Sequence, residues 1–277
     1  MKKVMFFVVL LTMFITGHAA AQTPGCDALE GAARDTANQA MSSIHAYGCC
    51  KDSVSDCLKK SDSSCKTSEL LASEICRLAK KGSSLKDIED AVARRKKVMD
   101  PAAKTFAIEV LPEHIWGNPD AKVILSVYLC GRCPYCSRHV PLLIRTLEAS
   151  PLKDKVAVNL RYFPIKAHTN STPAALAIEV SAQMGQAWPY LIKSYENFDA
   201  FSLAKITVWG QELGMDTERM NALMKDPKIR ASVAASKKEG LTNGVTTTPT
   251  FFLNGRRIEG TFDVEAIMSM LHEAVGE

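Results

Sequence analysis

A chain of 277 residues is long enough for about two domains of ordinary size. With 47% hydrophobic and 23% charged residues, 15 glycines and 12 prolines, it is neither collagen-like nor low-complexity nor disordered, and it can bury a sizeable core. Its net charge of +4 is small and scattered, so no nucleic-acid partner is expected.

The chain opens with Lys2 and Lys3, an apolar run over residues 4–15, and the small residues Ala19, Ala20 and Ala21. These are the three parts of a secretory signal peptide covering residues 1–21. The apolar run falls short of the ~20 residues that cross a bilayer and no later segment supplies them, so no membrane span is expected in the mature chain. Losing the two lysines lowers the net charge from +4 to +2. A periplasmic or secreted location puts the cysteines where disulfides persist. There are nine: Cys26, Cys49, Cys50, Cys57, Cys65 and Cys76 lie early, while Cys130, Cys133 and Cys136 crowd into one short run. The early six admit three bridges, but sequence cannot choose among the many pairings. An odd total leaves one thiol without an intramolecular partner.

Residues 22–100 read as a small, mainly helical, cysteine-rich domain stapled by disulfides, because its own core is too small to secure it. Leu71, Ile75 and Leu78 recur at helical spacing until Gly82, and Ser84 with Asp87 opens a second helix carrying Leu85, Ile88 and Val92 on one face. Arg94, Arg95, Lys96 and Lys97 suit the negative end of that helix as a solvated basic stretch. Asp100-Pro101 marks a boundary.

From residue 105 the pattern turns to strands. Phe106, Ile108 and Val110 alternate, and Pro112, Gly117, Asn118 and Pro119 make a turn region. Residues 123–129 then form a continuous apolar run, as in a strand buried on both faces. A helix over residues 133–147 and a strand over residues 156–162 complete a strand, helix, strand unit. Helical material follows to residue 238, interrupted near Gly185, Gly214 and Pro227, before a hairpin of residues 250–253 and 257–259 about Asn254-Gly255. Residues 264–275 form the last helix.

Cys133-Pro134-Tyr135-Cys136 stands where a strand gives way to a helix. The free N–H groups and positive end of a helix dipole stabilise a thiolate at the first cysteine, lowering its pKa from about 8.5. Cys133 is therefore the expected nucleophile. Pro134 suits the first turn, and Tyr135 at most tunes the site. Cys136, a turn deeper, is expected to resolve a mixed disulfide by attacking Cys133.

Residues 116–123 (Trp-Gly-Asn-Pro-Asp-Ala-Lys-Val), the Cys133–Cys136 site, Tyr162-Phe163-Pro164 followed by His168, and residues 244–255 (Gly-Val-Thr-Thr-Thr-Pro-Thr-Phe-Phe-Leu-Asn-Gly) come in the order seen in DsbA-type thiol-disulfide oxidoreductases. Residues 105–277 resemble that family. The resemblance implies an α/β thioredoxin fold with a helical insertion over about residues 168–243. It also implies a cis peptide at Thr248-Pro249, packed beside the active disulfide and offering backbone groups to an extended substrate.

Cys130 departs from the family pattern. With Cys133, Cys136 and His139 it completes a possible Cys3His zinc set, but two of those ligands would have to turn inward from a helix face claimed by packing. No metal or cofactor is expected, and Cys130 is either an inert buried thiol or a third redox thiol. Leu71-Ala72, Ile75, Arg77, residues 82–84, Asp87-Ile88 and Arg94 are faintly similar to the helical hairpin of CcmH, although CcmH's own cysteine pair does not map here.

The expected function is that of an exported thiol-disulfide oxidoreductase with oxidase or isomerase activity. Its expected partners are unfolded or cysteine-containing exported proteins and a redox partner that resets the disulfide. The alternatives are a reductase supplying electrons in cytochrome c maturation, or a non-enzymatic stapled or zinc-binding module.

Overall fold

A computed structural model of the chain describes residues 26–60, 65–260 and 262–276. The expected signal peptide lies outside the described residues. In the front region α1 (Gly31–Ser43), α2 (Val54–Lys59), α3 (Lys66–Lys80) and α4 (Leu85–Met99) enclose a small core that includes Val54, Leu71, Ile75 and Ile88. Three disulfides staple it: Cys26–Cys76 fastens the segment before α1 to α3, while Cys49–Cys65 and Cys50–Cys57 tie the loop after α1 to the start of α3 and to α2. Ser84 and Asp87 form a reciprocal capping box at the start of α4.

The remainder is built on a five-stranded sheet of β1 (Ile115–Gly117), β2 (Val123–Leu129), β3 (Val156–Tyr162), β4 (Thr250–Leu253) and β5 (Arg256–Arg257), in the order β1-β3-β2-β4-β5. β2 and β3 are parallel, joined through α5 (Pro134–Glu148), and every other pair is antiparallel. Between β3 and β4 lie α6 (Ser171–Gln183), α7 (Ala187–Glu196), α8 (Lys205–Glu212), α9 (Thr217–Leu223) and α10 (Pro227–Thr242), the helical insertion, and α11 (Val264–Val275) closes the chain.

One face of the sheet is apolar: Leu125, Val127 and Leu129 of β2 and Val156, Val158 and Leu160 of β3 share a core with Val140, Leu143 and Leu147 of α5 and Leu271 of α11. The other face buries polar groups as well. Asn159 donates to Ser126 Oγ at 3.1 Å, and Arg161 reaches Glu239 of α10 at 3.0 Å and Glu109 at 2.9 Å. Most of these buried groups are tolerated because they find partners, although the Asn159 side-chain oxygen has none among the described residues.

Residues 106–110 differ from expectation. They form no strand: the segment runs extended past the sheet with one ladder-like bond, from Phe106 N to Gly255 O at 2.8 Å. Side chains hold it instead. Asn243 and Asn159 donate to the carbonyls of Ala107 and Glu109, and Glu239 accepts from Glu109 N. The alternation of Phe106 and Ile108 is real, since both pack on the cluster of Tyr128, Phe163 and Phe252, but it covers a face and extends no edge. The outer strand is β1, within the stretch read as a turn. The hairpin turn falls at Asn254-Gly255 as expected, with φ of 46° and 78°. A side chain at residue 255 would sit 2.9 Å from Phe106 O, so glycine serves both the turn and the close approach.

The basic stretch ending α4 is also more than a solvated helix end. Arg95 is 5% exposed and pairs with Glu273 of α11 at 2.7 Å, with Tyr47 and Ser269 completing its hydrogen bonds. Arg77 bonds Glu74 within α3 and Asp263 before α11, each at 2.6 Å. The front helices are thus clamped to the last helix by ion pairs.

Candidate active site

β2 ends at Leu129, and the chain turns through Cys130, Gly131 and Arg132 before Cys133 takes the N-cap of α5. The turn is closed by Cys133 N donating to Cys130 O at 3.0 Å. Gly131 is required by packing: a Cβ there would meet Ala174 at 2.9 Å. Pro134 occupies the first helical turn and costs no hydrogen bond. α5 then continues through an internal proline, Pro141, whose buried face with Val140, Leu143 and Ile144 offsets the missing backbone donor.

The two thiols differ sharply. Cys133 is pulled down to about 5, first by the hydrogen bond from the Cys136 thiol and against the cost of burial, then by the Thr248 side chain and the N–H groups of Cys136 and Tyr135. Cys136 is pushed well above the ordinary thiol range, chiefly by burial and then by its bond to Cys133. The buried Cys136 thiol, donating to a sulfur that the first N–H groups of α5 also support, produces this contrast. Cys133, the expected nucleophile, is only 2% exposed, and Cys136, a turn deeper, is fully buried. What distinguishes them is ionisation, while Tyr135 beside them is 61% exposed.

Thr248-Pro249 is cis, and Thr248 O accepts a hydrogen bond from Cys133 Sγ at 3.2 Å. That carbonyl favours the thiol. The Thr248 hydroxyl is buried with no hydrogen-bond partner among the described residues, so an anionic sulfur gives it an acceptor. Replacing Thr248 by Val keeps the shape and removes the donor; the Cys133 titration, followed by thiolate absorbance, is expected to rise by about one unit. An unchanged titration would leave the helix and Cys136 as its whole cause.

Cys130 is buried, its thiol pushed up by desolvation, with Sγ 3.4 Å from His168 Nδ1. His139 turns to Phe262, with ring centroids 4.7 Å apart. Among the described residues no group of three or more His, Cys, Asp or Glu is placed to hold a metal ion. Two further contacts carry no local sequence signal. Tyr195 of α7 donates to Cys130 O at 3.1 Å, and Arg132 leaves the cysteine loop to lie over Phe198 and Phe201, 4.1 and 4.7 Å from their ring centres. In both contacts the partner is supplied by the insertion (Tyr195, and Phe198 with Phe201), whose docking no local pattern encodes.

A Cys-x-x-Cys pair capping the helix after a central parallel strand, with unlike thiols and a cis-proline loop against the first sulfur, is an arrangement suited to thiol-disulfide exchange. Residues 109–273 match the family model described as thioredoxin, and the chain belongs to that family. Oxidised BdbD from Bacillus subtilis shares the fold with a TM-score of 0.54 at 15% identity, covering 62% of this chain and 98% of that one. The thiol-disulfide exchange protein alpha-DsbA2 from Wolbachia pipientis gives 0.52 at 18% identity, covering 67% and 94%. Among curated proteins, the Na(+)/H(+) antiporter NhaA of Herminiimonas arsenicoxydans is 29% identical over 161 residues, 57% of this chain and 25% of the antiporter. NhaA 1 of Mycobacterium sp. strain KMS is 28% identical over 182 residues, 62% of this chain and 28% of its own. The chain spans about a quarter of the length of these curated relatives, and no described helix is long and apolar enough to cross a membrane.

Proposed function

We propose that the protein is an exported dithiol oxidase, with isomerase activity within reach of the same site, that gives its Cys133–Cys136 disulfide to unfolded or cysteine-containing proteins. In this reading Cys133 is the exchanging sulfur and Cys136 the resolving one. The depressed Cys133 pKa carries it. A thiolate stabilised in the reduced protein lowers the free energy of the dithiol state, so the disulfide is readily given up. A reductase needs the opposite balance. The antiporter likeness is not extended to ion transport, because it touches only about a quarter of those proteins.

Exchange chemistry is assigned to residues 105–277, with Thr248 and Pro249 lining the substrate position and Pro134, Tyr135 and Cys130 flanking the sulfurs. A substrate chain lying against residues 246–249 would exchange main-chain hydrogen bonds there and owe little to its own sequence. The three front disulfides and the signal-like start favour a periplasmic or secreted setting, and a separate redox partner must restore the disulfide.

The sign of the pH dependence follows from the shift. Because the folded pKa is depressed, the thiolate's contribution to the reduced protein is complete above the ordinary thiol pKa and is lost as pH falls through about 5. The rate at which the reduced protein attacks a small disulfide is expected to be nearly flat from neutral pH down to about 6 and to fall below about 5. A rate that climbs steadily through pH 8 would mean an ordinary thiol. The direct test of direction mixes oxidised protein with a reduced unfolded protein and counts free thiols. Rapid transfer of one disulfide per molecule is expected, and inability to oxidise the substrate would defeat the reading.

A further inference from the structure

A groove of about 760 Å³ runs between the front helices α3 and α4 on one side and the segment from Thr247 to Phe251, β5 and the start of α11 on the other. We propose that this groove receives an acidic stretch of the polypeptide undergoing exchange, and that Arg94 and Arg257 engage its carboxylates. The proposal rests on the thiol-disulfide reading and adds a substrate class to it.

Position comes first. Thr247 and Pro249 line the groove, and between them Thr248 O lies 3.2 Å from Cys133 Sγ. A chain presented to that sulfur along residues 246–249 therefore has the groove as its continuation. Phe251, Ile258 and Phe262 give it an apolar wall for side-chain stems.

Charge then selects the occupant. Four of the five carboxylates in the lining are held by basic side chains, Glu74 by Arg77, Asp263 by Arg77 and Lys81, Glu259 by Lys97 and Asp90 by Lys86, while Asp87 bonds Ser84 in the helix cap and reaches Arg94 only through space. Arg77 and Arg95 are engaged as well. Two guanidinium groups remain. Arg94 has no hydrogen bond or ion pair with any described residue, and Arg257 bonds only the Gly244 carbonyl, at 2.8 Å. Gly260 leaves room for Arg94, since a Cβ there would sit 2.9 Å from its Nε. Unpaired, partly enclosed guanidiniums beside an apolar wall fit side-chain carboxylates on an extended chain.

The front region thus becomes one wall of the substrate site. The test uses the full oxidised chain and fluorescent, cysteine-free peptides of one length that are acidic, neutral or basic, with binding read by anisotropy. The acidic peptide is expected to bind at least about tenfold more tightly than the neutral one, the scale of a single charge-assisted hydrogen bond. Arg94→Glu combined with Arg257→Glu is expected to reverse the order in favour of the basic peptide, a result that misfolding does not give. Equal binding of the three peptides to the unaltered protein would overturn the proposal, and so would displacement of the acidic peptide by equimolar inorganic phosphate, which would make the groove a small-anion site. Exchange with a small dithiol, measured in parallel on the unaltered protein, separates the layers. Normal exchange without acidic preference refutes the groove alone, while absence of exchange refutes the reading beneath it.

Discussion

Cys136→Ser is expected to trap a stable mixed disulfide when the Cys133 thiolate attacks the disulfide of an oxidised peptide and releases that peptide's other sulfur as a thiolate, whereas Cys133→Ser is expected to abolish exchange with either oxidised or reduced peptide. The Cys136 thiol donates to Cys133 and is the largest cause of its low pKa. Serine retains a donor in that place, so the remaining sulfur stays ionised and reactive but cannot be released. Alanine removes the donor, and the Cys133 titration should then rise as well. Mass measurement of the adduct and thiolate absorbance read the two effects separately. Turnover by Cys136→Ser as fast as the unaltered protein would reverse the assigned roles, and retention of exchange by Cys133→Ser would move the chemistry to Cys130.

The second large effect is structural. Arg95 and Glu273 are 5% and 10% exposed at the side chain, and each is the other's counter-ion across the junction of α4 and α11. Removing either partner strands a buried charge, which costs about 3 to 5 kcal/mol, far more than an exposed pair. Arg95→Ala and Glu273→Ala should each shift denaturation by that amount with the disulfides intact. The pair replaced together by Met and Leu should recover most of the loss, because no charge is left unpaired. A shift below about 1 kcal/mol for either single replacement would mean that the junction is solvated and the front helices are only loosely docked.

These two sites show which parts of the molecule its sequence could express. The strands over residues 123–129 and 156–162, the helix opened by Cys133 and the Ser84 cap are local patterns, and each appears where periodicity put it. The Cys133–Cys136 pair is legible for the same reason, since four residues carry both the helix start and the two sulfurs. Thr248 is different: it lies 115 positions from Cys133, and only resemblance to a family placed it at the sulfur. Residues 106–110 misled because alternation reports one buried face, which a covering segment shares with a true strand. Arg94 to Lys97 misled because charge alone does not say where its partner sits. Arg95 finds Glu273 at a separation of 178 residues, and Lys97 finds Glu259. Arg95 and Val98, the latter part of the main core, also carry that structural unit back across the Asp100-Pro101 boundary. The exposure of Cys133 could not be read either, since the loop that covers it comes from the far side of the insertion.

If Cys133 ionisation makes this pair an oxidant, the reduction potential of Cys133–Cys136 at pH 7 shows it most directly. The full chain is equilibrated in glutathione buffers, and alkylation of the Cys133 peptide is followed by mass. A potential above about −200 mV, in the range of disulfide-donating proteins, is the result expected here. A potential at or below about −270 mV, where thioredoxin-like reductants and inert structural bridges lie, would contradict it.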